Sequence, residues 1–249
     1  MEYKDRCRGR GSWTRLEFDT DKCEDFIKKN VKYIDILVKL FDQTQYFTLE
    51  EVINGIKTLI IKWKSERKNI PLYVYVANMT MGSEYWLYTM FKDILPSHEL
   101  INRSILSSCK HNEIEIINID DWCLTGNHMI GNIEDLLYKN ETKSNITYTL
   151  LFFVGGDIPY HIEYVKKAYK IDVNIINEHN VKSFNPCLDD TDENKKLLRE
   201  FIETFSPDVD YLSYPVIFEY KVANQFGSFP KIYKKCRNFI KPYNSKEKD

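Results

Sequence analysis

The chain has 249 residues, of which 43% are hydrophobic and 14% aromatic, enough for one sizeable core, alone or with a small helical appendage. Its 35 basic and 37 acidic residues give a formal net charge of −2, which excludes a global field that would recruit nucleic acid or an anionic membrane. Its six cysteines are scattered without a Cys-x-x-Cys pair, and no apolar run is long enough to span a bilayer. We therefore expect free thiols and a cytoplasmic location, with no membrane partner.

The N-terminal part of the chain divides into a tail and a helical extension. Residues 1–20 are basic and irregular, which favours a flexible tail, with a phosphate-binding arm as the alternative. Residues 21–70 form the predicted helical extension, because apolar residues recur at helical spacing in the stretches 27–41 and 52–63. The second of these helices is opened by a capping box, Thr48-Leu49-Glu50-Glu51.

Residues 71–180 alternate between apolar strands and amphipathic helices. Strands are predicted at residues 72–77, 114–119, 147–154 and 171–176, with helices at residues 83–94, at 129–137 and from Asp157 and Pro159 onward. Continuous apolar strands separated by helices are typical of a parallel sheet that is covered on both faces. The sequence thus predicts an α/β fold with an open, mainly parallel sheet, helices on both faces and an N-terminal helical extension.

The alternation stops after residue 180. Residues 181–243 are expected to form a hood or to complete the fold, with a helix that begins near Asp192 and one more strand within residues 214–220. The final residues, 244–249, are expected to be disordered.

Three turns are expected to share the rim at the carboxyl ends of the strands, where open parallel sheets bind ligands. They are Asn78–Gly82, Asp120–His128 and Gly155–Asp157. The second is the richest, because two carboxylates follow the strand and a Thr-Gly turn leads into a helix whose N-terminus favours an anion. The alternative is a helix cap in a solvated loop. No P-loop and no Gly-x-Gly-x-x-Gly motif is present, which disfavours P-loop NTPases and Rossmann dinucleotide enzymes.

Asp120 and Asp121 are adjacent on an extended backbone, so their side chains are expected to point to opposite sides. At a strand that ends near Ile119, one carboxylate can accept ribose hydroxyls while the other faces a cation. Cys123 lies within the same stretch. A nucleophile beside His128 is one interpretation of this cysteine, and a buried thiol is the favoured one.

The run from Asp120 to His128 resembles the phosphoribosyl-pyrophosphate motif of type I phosphoribosyltransferases, which has an apolar strand, two acidic residues, a short spacer and then Thr-Gly. The resemblance implies that Asp120 and Asp121 contact ribose and act in catalysis, with Mg²⁺ bound directly or through water. It also implies a 5′-phosphate cradle made of Thr125, Gly126, Asn127, His128 and Met129. The upstream turn resembles the pyrophosphate loop of that family, made here of Asn78, Met79, Thr80, Met81, Gly82 and Ser83.

The resemblance extends to two further segments. Residues 99–113, with Arg103, Lys110 and His111, lie where the family carries a mobile catalytic loop. Residues 218–230 faintly resemble divergent phosphoribosyltransferase-like domains, which places Lys221 near the rim. A surface lysine on an edge strand is the alternative for Lys221.

The resemblance implies a protein that binds phosphoribosyl pyrophosphate or a nucleotide with Mg²⁺ and transfers the phosphoribosyl group to a nitrogenous base. The pyrophosphate loop has no basic residue, so a non-catalytic sensor or effector on the same fold stays open. A structural or host-interaction protein without a ligand is the third hypothesis. Nucleic acid is not an expected partner, and a homodimer is left open.

Overall fold

The computed structural model describes residues 16–18, 20–77, 79, 83–102, 111–123, 126–137, 145–156, 159–182, 184, 188, 191–205, 216–218, 221–222 and 240–242. These residues belong to two compact units. The first contains the described residues from 50 to 181, and the second contains those before residue 50 and after residue 181. Among the residues described, no helix is both long and apolar enough to cross a membrane.

The strands, in chain order, are β1 (Leu16–Phe18), β2 (Gln45–Phe47), β3 (Leu72–Tyr75), β4 (Glu99–Ile101), β5 (Glu113–Cys123), β6 (Asn145–Gly155), β7 (Asp172–Asn180), β8 (Val216–Phe218), β9 (Lys221–Val222) and β10 (Ile240–Pro242). The α-helices are α1 (Thr20–Lys29), α2 (Ile34–Gln43), α3 (Leu49–Glu66), α4 (Ser83–Phe91), α5 (Asn127–Leu137), α6 (Pro159–Tyr169) and α7 (Asp192–Phe205). A short 3-10 helix at Val31–Tyr33 precedes α2.

The first unit is built on a sheet in the order β4-β3-β5-β6-β7, and all neighbouring strands in it are parallel. This confirms the predicted α/β fold with an open parallel sheet. The chain moves from β3 outward to β4, then returns across β3 to β5 and continues to β7. The strand order therefore reverses between β3 and β5, and such a reversal is the point where open sheets of this kind bind their ligands.

One face of the sheet packs against α5 and α6. Alternate residues of β5 and β6 point toward these helices, because successive side chains of a strand lie on opposite faces. The buried cluster on this face includes Ile116, Tyr148, Ile133 of α5 and Val165 of α6. The core thus fixes α5 against the sheet and sets where its N-terminus lies.

The opposite face packs against α3. A Cβ atom on Gly55 would lie 2.3 Å from Cε2 of Phe153, so a glycine is needed where helix and sheet approach most closely. The indole Nε1 of Trp63 donates a 2.8 Å hydrogen bond to Oε1 of Glu115, and Nε of Arg67 lies 3.2 Å from the other oxygen. Helices therefore cover both faces, as predicted, and α3 belongs with the sheet.

Two strands differ from the predictions. The segment Glu99–Ile101, within the expected catalytic loop, forms the edge strand β4, which pairs with β3. The strand expected to end at Ile119 continues to Cys123, and Asp120 pairs with Phe152 of β6 within it. The pairing with β6 keeps this backbone extended through both aspartates.

The second unit contains two small sheets, β2-β8-β9 and β1-β10, together with α1, α2 and α7. Aromatic rings pack between its helices, with Phe26 5.8 Å from Phe205 and Tyr33 5.6 Å from Phe201, measured between ring centroids. Lys221 lies in β9 and pairs with Phe218 of β8. Its approach to the rim of the large sheet stays a prediction, as do the predicted domain boundaries.

Candidate functional site

The carboxyl end of β3 lies beside the second half of β5 at the reversal of strand order, and β5 continues beyond it to Cys123. The side-chain nitrogen Nδ2 of Asn118 donates a 3.1 Å hydrogen bond to the backbone oxygen of Tyr75, which ties β5 to the last residue of β3. From these two strand ends the chain leads into α4 and α5 respectively. The first turns of both helices therefore meet at the point where the fold class binds ligands.

Three side chains meet at this point, one from each of α4, β5 and α5. Ligand atoms of Glu84, Asp120 and His128 all lie within 4.8 Å of one another. Glu84 and Asp120 are buried, with 6% and 8% of their surface exposed, whereas His128 is exposed. Two carboxylates and one imidazole make this a group that could hold a metal ion.

Glu84 is held by hydrogen bonds from two different elements. Its Oε2 accepts a 3.0 Å hydrogen bond from the backbone N–H of Ala77, and its Oε1 accepts a 3.0 Å hydrogen bond from Nδ2 of Asn132 in α5. Nδ1 of His128 lies 3.8 Å from the same Oε1. The carboxylate is therefore fixed between the end of β3 and the helix α5.

Glu84 was not among the site residues predicted from the sequence. Acidic residues are common in the first turn of a helix, because they complement the helix dipole, so this glutamate had an ordinary explanation. Its position directly after Ser83, at the head of a helix on the expected ligand rim, was the signal available.

Asp120 and Asp121 occupy different surroundings. Asp120 faces Glu84 and His128, and its Oδ1 accepts a 2.8 Å hydrogen bond from the backbone N–H of Asp121. The side chain of Asp121 is completely buried. Because both residues lie on the extended backbone of β5, we expect their carboxylates on opposite faces. The structure therefore brings Asp120, and not Asp121, together with the other two side chains.

The predicted phosphate cradle lies at the start of α5. Gly126 has a φ of 75°, a left-handed conformation that favours glycine, and its backbone oxygen accepts the helical hydrogen bond from Ile130 at 2.9 Å. Met129 is buried in the core, so its backbone N–H alone is available to a ligand. Asn127 begins the helix, and Thr125 lies outside the described residues. The N-terminus of α5, whose first N–H groups have no carbonyl partner within the helix itself, therefore lies beside Asp120.

The predicted pyrophosphate loop is only partly described. Met79 is half-buried and Ser83 is the first residue of α4. The other members lie outside the described residues: Asn78, Thr80, Met81 and Gly82. The third turn of the rim joins the second, because the backbone N–H of Gly156 donates a 3.0 Å hydrogen bond to the backbone oxygen of Cys123.

Burial and negative charge control the titration of two neighbouring groups. Burial, together with the smaller effect of the negative charge of Asp120, raises the pKa of Cys123 to about 12. The thiol is therefore protonated at neutral pH, which supports a buried thiol over a nucleophile. Burial also raises the pKa of Tyr148 well above its usual value, and the charge of Glu84 adds to this effect.

Comparison with known proteins gives matches among solved structures alone. No protein-family model and no curated protein sequence matches the chain. A hypoxanthine-guanine-xanthine phosphoribosyltransferase is 16% identical, with a TM-score of 0.33, over 53% of this chain and 75% of that one. A hypoxanthine phosphoribosyltransferase from Staphylococcus aureus is 16% identical, with a TM-score of 0.36, over 59% and 84%.

A third similar structure is a hypothetical protein from Neisseria gonorrhoeae with bound ppGpp, 13% identical, with a TM-score of 0.36, over 63% of this chain and 97% of that one. The family that the Asp120 motif resembles is thus represented among the similar structures.

Proposed function

We propose that the chain binds phosphoribosyl pyrophosphate or a related nucleotide, together with Mg²⁺, between the carboxyl ends of β3 and β5. One observation carries this proposal: the N-terminus of α5 and the carboxylate of Asp120 border the same reversal of strand order. A helix N-terminus suits a phosphate group, and a carboxylate beside it suits sugar hydroxyls. Phosphorylated sugars and nucleotides present both groups.

The residues divide between phosphate and sugar. The backbone N–H groups from Thr125 to Met129 take the 5′-phosphate, with Gly126 giving close access to the backbone. Asp120 accepts the ribose hydroxyls, and Asp121 supports the strand end from the buried side. Ser83 and the turn before it take the second phosphate group at the start of α4.

The chemistry of the donors fits a hard divalent cation. Mg²⁺ prefers oxygen ligands, keeps several waters and is usually held by one or two carboxylates together with substrate phosphates. Asp120 and Glu84 supply such carboxylates. When bound, the ion would neutralise phosphate charge beside these two acids.

If the chain is an enzyme, the reaction is displacement of pyrophosphate from the sugar C1 by a nitrogen nucleophile. The residues around the site would act by orienting the sugar and by excluding water, since fixed geometry alone lowers such barriers substantially. The buried Glu84 would hold the end of β3 and the helix α5 in fixed positions around the sugar, because it accepts a hydrogen bond from each of them.

A non-catalytic sensor or effector is the second candidate, because residues 78–83 contain no lysine or arginine to take up the charge of a leaving pyrophosphate. Binding of ligand without release of pyrophosphate, across a panel of nitrogenous bases, distinguishes the sensor from the enzyme.

Isothermal titration of the chain with phosphoribosyl pyrophosphate and with nucleoside monophosphates, each with Mg²⁺, tests the proposal. Asp120→Asn is expected to weaken binding at least about tenfold, because a hydrogen bond to a charged group is worth roughly 1.5–3 kcal/mol. The control is Glu163→Gln, which changes an exposed carboxylate on α6 that pairs with Lys166. Folded protein that binds none of these ligands at millimolar concentration would contradict the proposal.

A further inference from the structure

One of the three side chains at the reversal of strand order, that of His128, is not a typical ligand of Mg²⁺. Imidazole nitrogen suits transition metals, whereas Mg²⁺ is bound by oxygen. His128 brings such a nitrogen to within 3.8 Å of Oε1 of Glu84. The donor set therefore differs from what the sequence motif at Asp120 implied.

We propose that Glu84, Asp120 and His128 form a resident site for a divalent transition metal, which binds Mn²⁺ more tightly than Mg²⁺ before any sugar phosphate arrives. The inference deepens the proposed function, on which it rests for the place of the sugar phosphate. It adds the imidazole of His128 to the carboxylates of Glu84 and Asp120 as a metal ligand.

The spacing of the donors is close to that of a coordination sphere. With bonds of about 2.1 Å, adjacent ligands of an octahedral ion lie about 3 Å apart and opposite ligands about 4.2 Å apart. The donor atoms here all lie within 4.8 Å of one another, so small side-chain adjustments suffice to bring them around one ion. His128 is the ligand with most freedom to move, because 62% of its side chain is exposed.

The support of Glu84 is typical of a metal ligand. Each of its carboxylate oxygens accepts one hydrogen bond, from Ala77 and from Asn132, which orients the group and leaves a lone pair on each oxygen. Outer hydrogen bonds of this kind orient metal ligands in general. Two carboxylates and a neutral imidazole also balance the charge of a divalent ion.

A buried hydroxyl on the same face of the sheet as α5 is a second observation that a bound ion would explain. Tyr148 is 1% exposed, and within the described part of the chain its hydroxyl has no hydrogen-bond partner. It lies on the α5 side of the sheet, and burial followed by the charge of Glu84 raises its pKa. Buried polar groups normally have partners, and a metal-bound water beside Glu84 would supply one.

The test is to titrate the full chain with each ion in the absence of a sugar phosphate. Binding of Mn²⁺ is measured as the loss of the free Mn²⁺ signal in electron paramagnetic resonance, and binding of Mg²⁺ is measured by calorimetry. We expect one Mn²⁺ site with a Kd at least tenfold below that for Mg²⁺. His128→Gln should weaken Mn²⁺ binding at least about tenfold, the lower end of what loss of a supporting residue costs at a metal site. The same variant should leave Mg²⁺ binding within twofold.

The matched control is Glu163→Gln, for an exposed carboxylate on α6. Glu84→Gln is expected to abolish Mn²⁺ binding, and if it fails to fold, the exposed His128 still decides the question. Equal affinity for the two ions, no Mn²⁺ binding, or a His128→Gln variant with unchanged Mn²⁺ affinity would each overturn the inference. If one of these results is found and the chain still binds a sugar phosphate with Mg²⁺, the metal inference fails and the proposed function stands. If the chain binds Mn²⁺ but no sugar phosphate, the proposed function alone is refuted.

Discussion

Nδ2 of Asn132 donates a 3.0 Å hydrogen bond to Oε1 of Glu84, and both side chains are buried. This single bond joins α5 to α4 across the candidate site. Its donor is neutral and its acceptor is a carboxylate, a combination that is stronger than a bond between two neutral groups.

Asn132→Ala removes this donor and leaves a buried carboxylate oxygen with one partner fewer. We expect the free energy of unfolding to fall by about 1–3 kcal/mol, the cost of an unsatisfied buried group. Urea denaturation followed by circular dichroism measures the change. Asn174→Ala on β7, where the side chain is exposed, is the control and should shift the value by less than about 0.5 kcal/mol. Equal effects of the two substitutions would show that the bond contributes nothing.

Two glycines in helices should respond to alanine in opposite directions. A Cβ on Gly55 would meet the ring of Phe153 at 2.3 Å, whereas a Cβ on Gly131 would have nothing within 4 Å. We expect Gly55→Ala to destabilise the fold by about 1–3 kcal/mol through overpacking. Gly131→Ala should stabilise it by about 0.5–1 kcal/mol, because alanine loses less backbone freedom in a helix. Thermal melts of both variants check the signs, and a stabilised Gly55→Ala protein would contradict the close packing of α3 on the sheet.

The ion pair between Arg67 and Glu115 is buried, with 9% and 6% of the side chains exposed. Arg67→Met leaves the carboxylate buried without its counter-ion, so we expect a loss of about 3–5 kcal/mol of unfolding free energy. Lys68→Met breaks the exposed pair with Glu113 and is the matched control, with an expected loss of at most about 1 kcal/mol. Chemical denaturation measures both losses. A loss below 1 kcal/mol for Arg67→Met would mean that Trp63 and Thr149 alone satisfy Glu115.

The pKa of Cys123, raised by burial from an ordinary value of 9.0 to about 12, makes stability depend on alkaline pH. Below pH 9 the thiol is protonated in both folded and unfolded chains. Between pH 9 and 12 the unfolded chain releases this proton and the folded chain retains it, so the contribution of Cys123 to stability is lost progressively as pH rises.

Comparison of the wild type with Cys123→Ala isolates this contribution from that of other titrating groups. The difference in unfolding free energy between the two proteins should be constant from pH 7 to 8.5 and should then shift in favour of the variant up to pH 11. Denaturation curves at each pH measure it. A difference that stays constant over the whole range would mean that Cys123 is not buried.

The parallel sheet could be predicted from the sequence because strands buried on both faces are continuous apolar runs, as in residues 114–119 and 147–154. The edge strand β4 could not, since three residues with one buried side chain, Ile101, give no periodicity. The continuation of β5 through Asp120 and Asp121 was also missed. Two adjacent acids normally indicate a turn, and here pairing with β6 keeps them in the strand.

The position of the candidate site could be predicted from the sequence, but the full set of side chains that form it could not. Strand ends in a parallel sheet share one rim, so Asp120 and the start of α5 could be placed together from the sequence alone. Glu84 joins them only through the return of the chain across β3, a feature of topology that local patterns do not encode. His128 was expected at the phosphate, and in the structure its Nδ1 lies 3.8 Å from Oε1 of Glu84.

Glu84 and Asn132 are 48 residues apart in the chain, and they meet only when β3 and β5 are paired. An unfolded chain therefore has no equivalent of the cluster, and an ion or phosphate bound there binds the native state alone. Each tenfold excess of free ligand over its Kd then adds about 1.4 kcal/mol to stability, with a melting temperature that rises with ligand concentration. A thermal-shift screen would thus identify the ligand of this chain by its effect on unfolding, without an assay of any reaction.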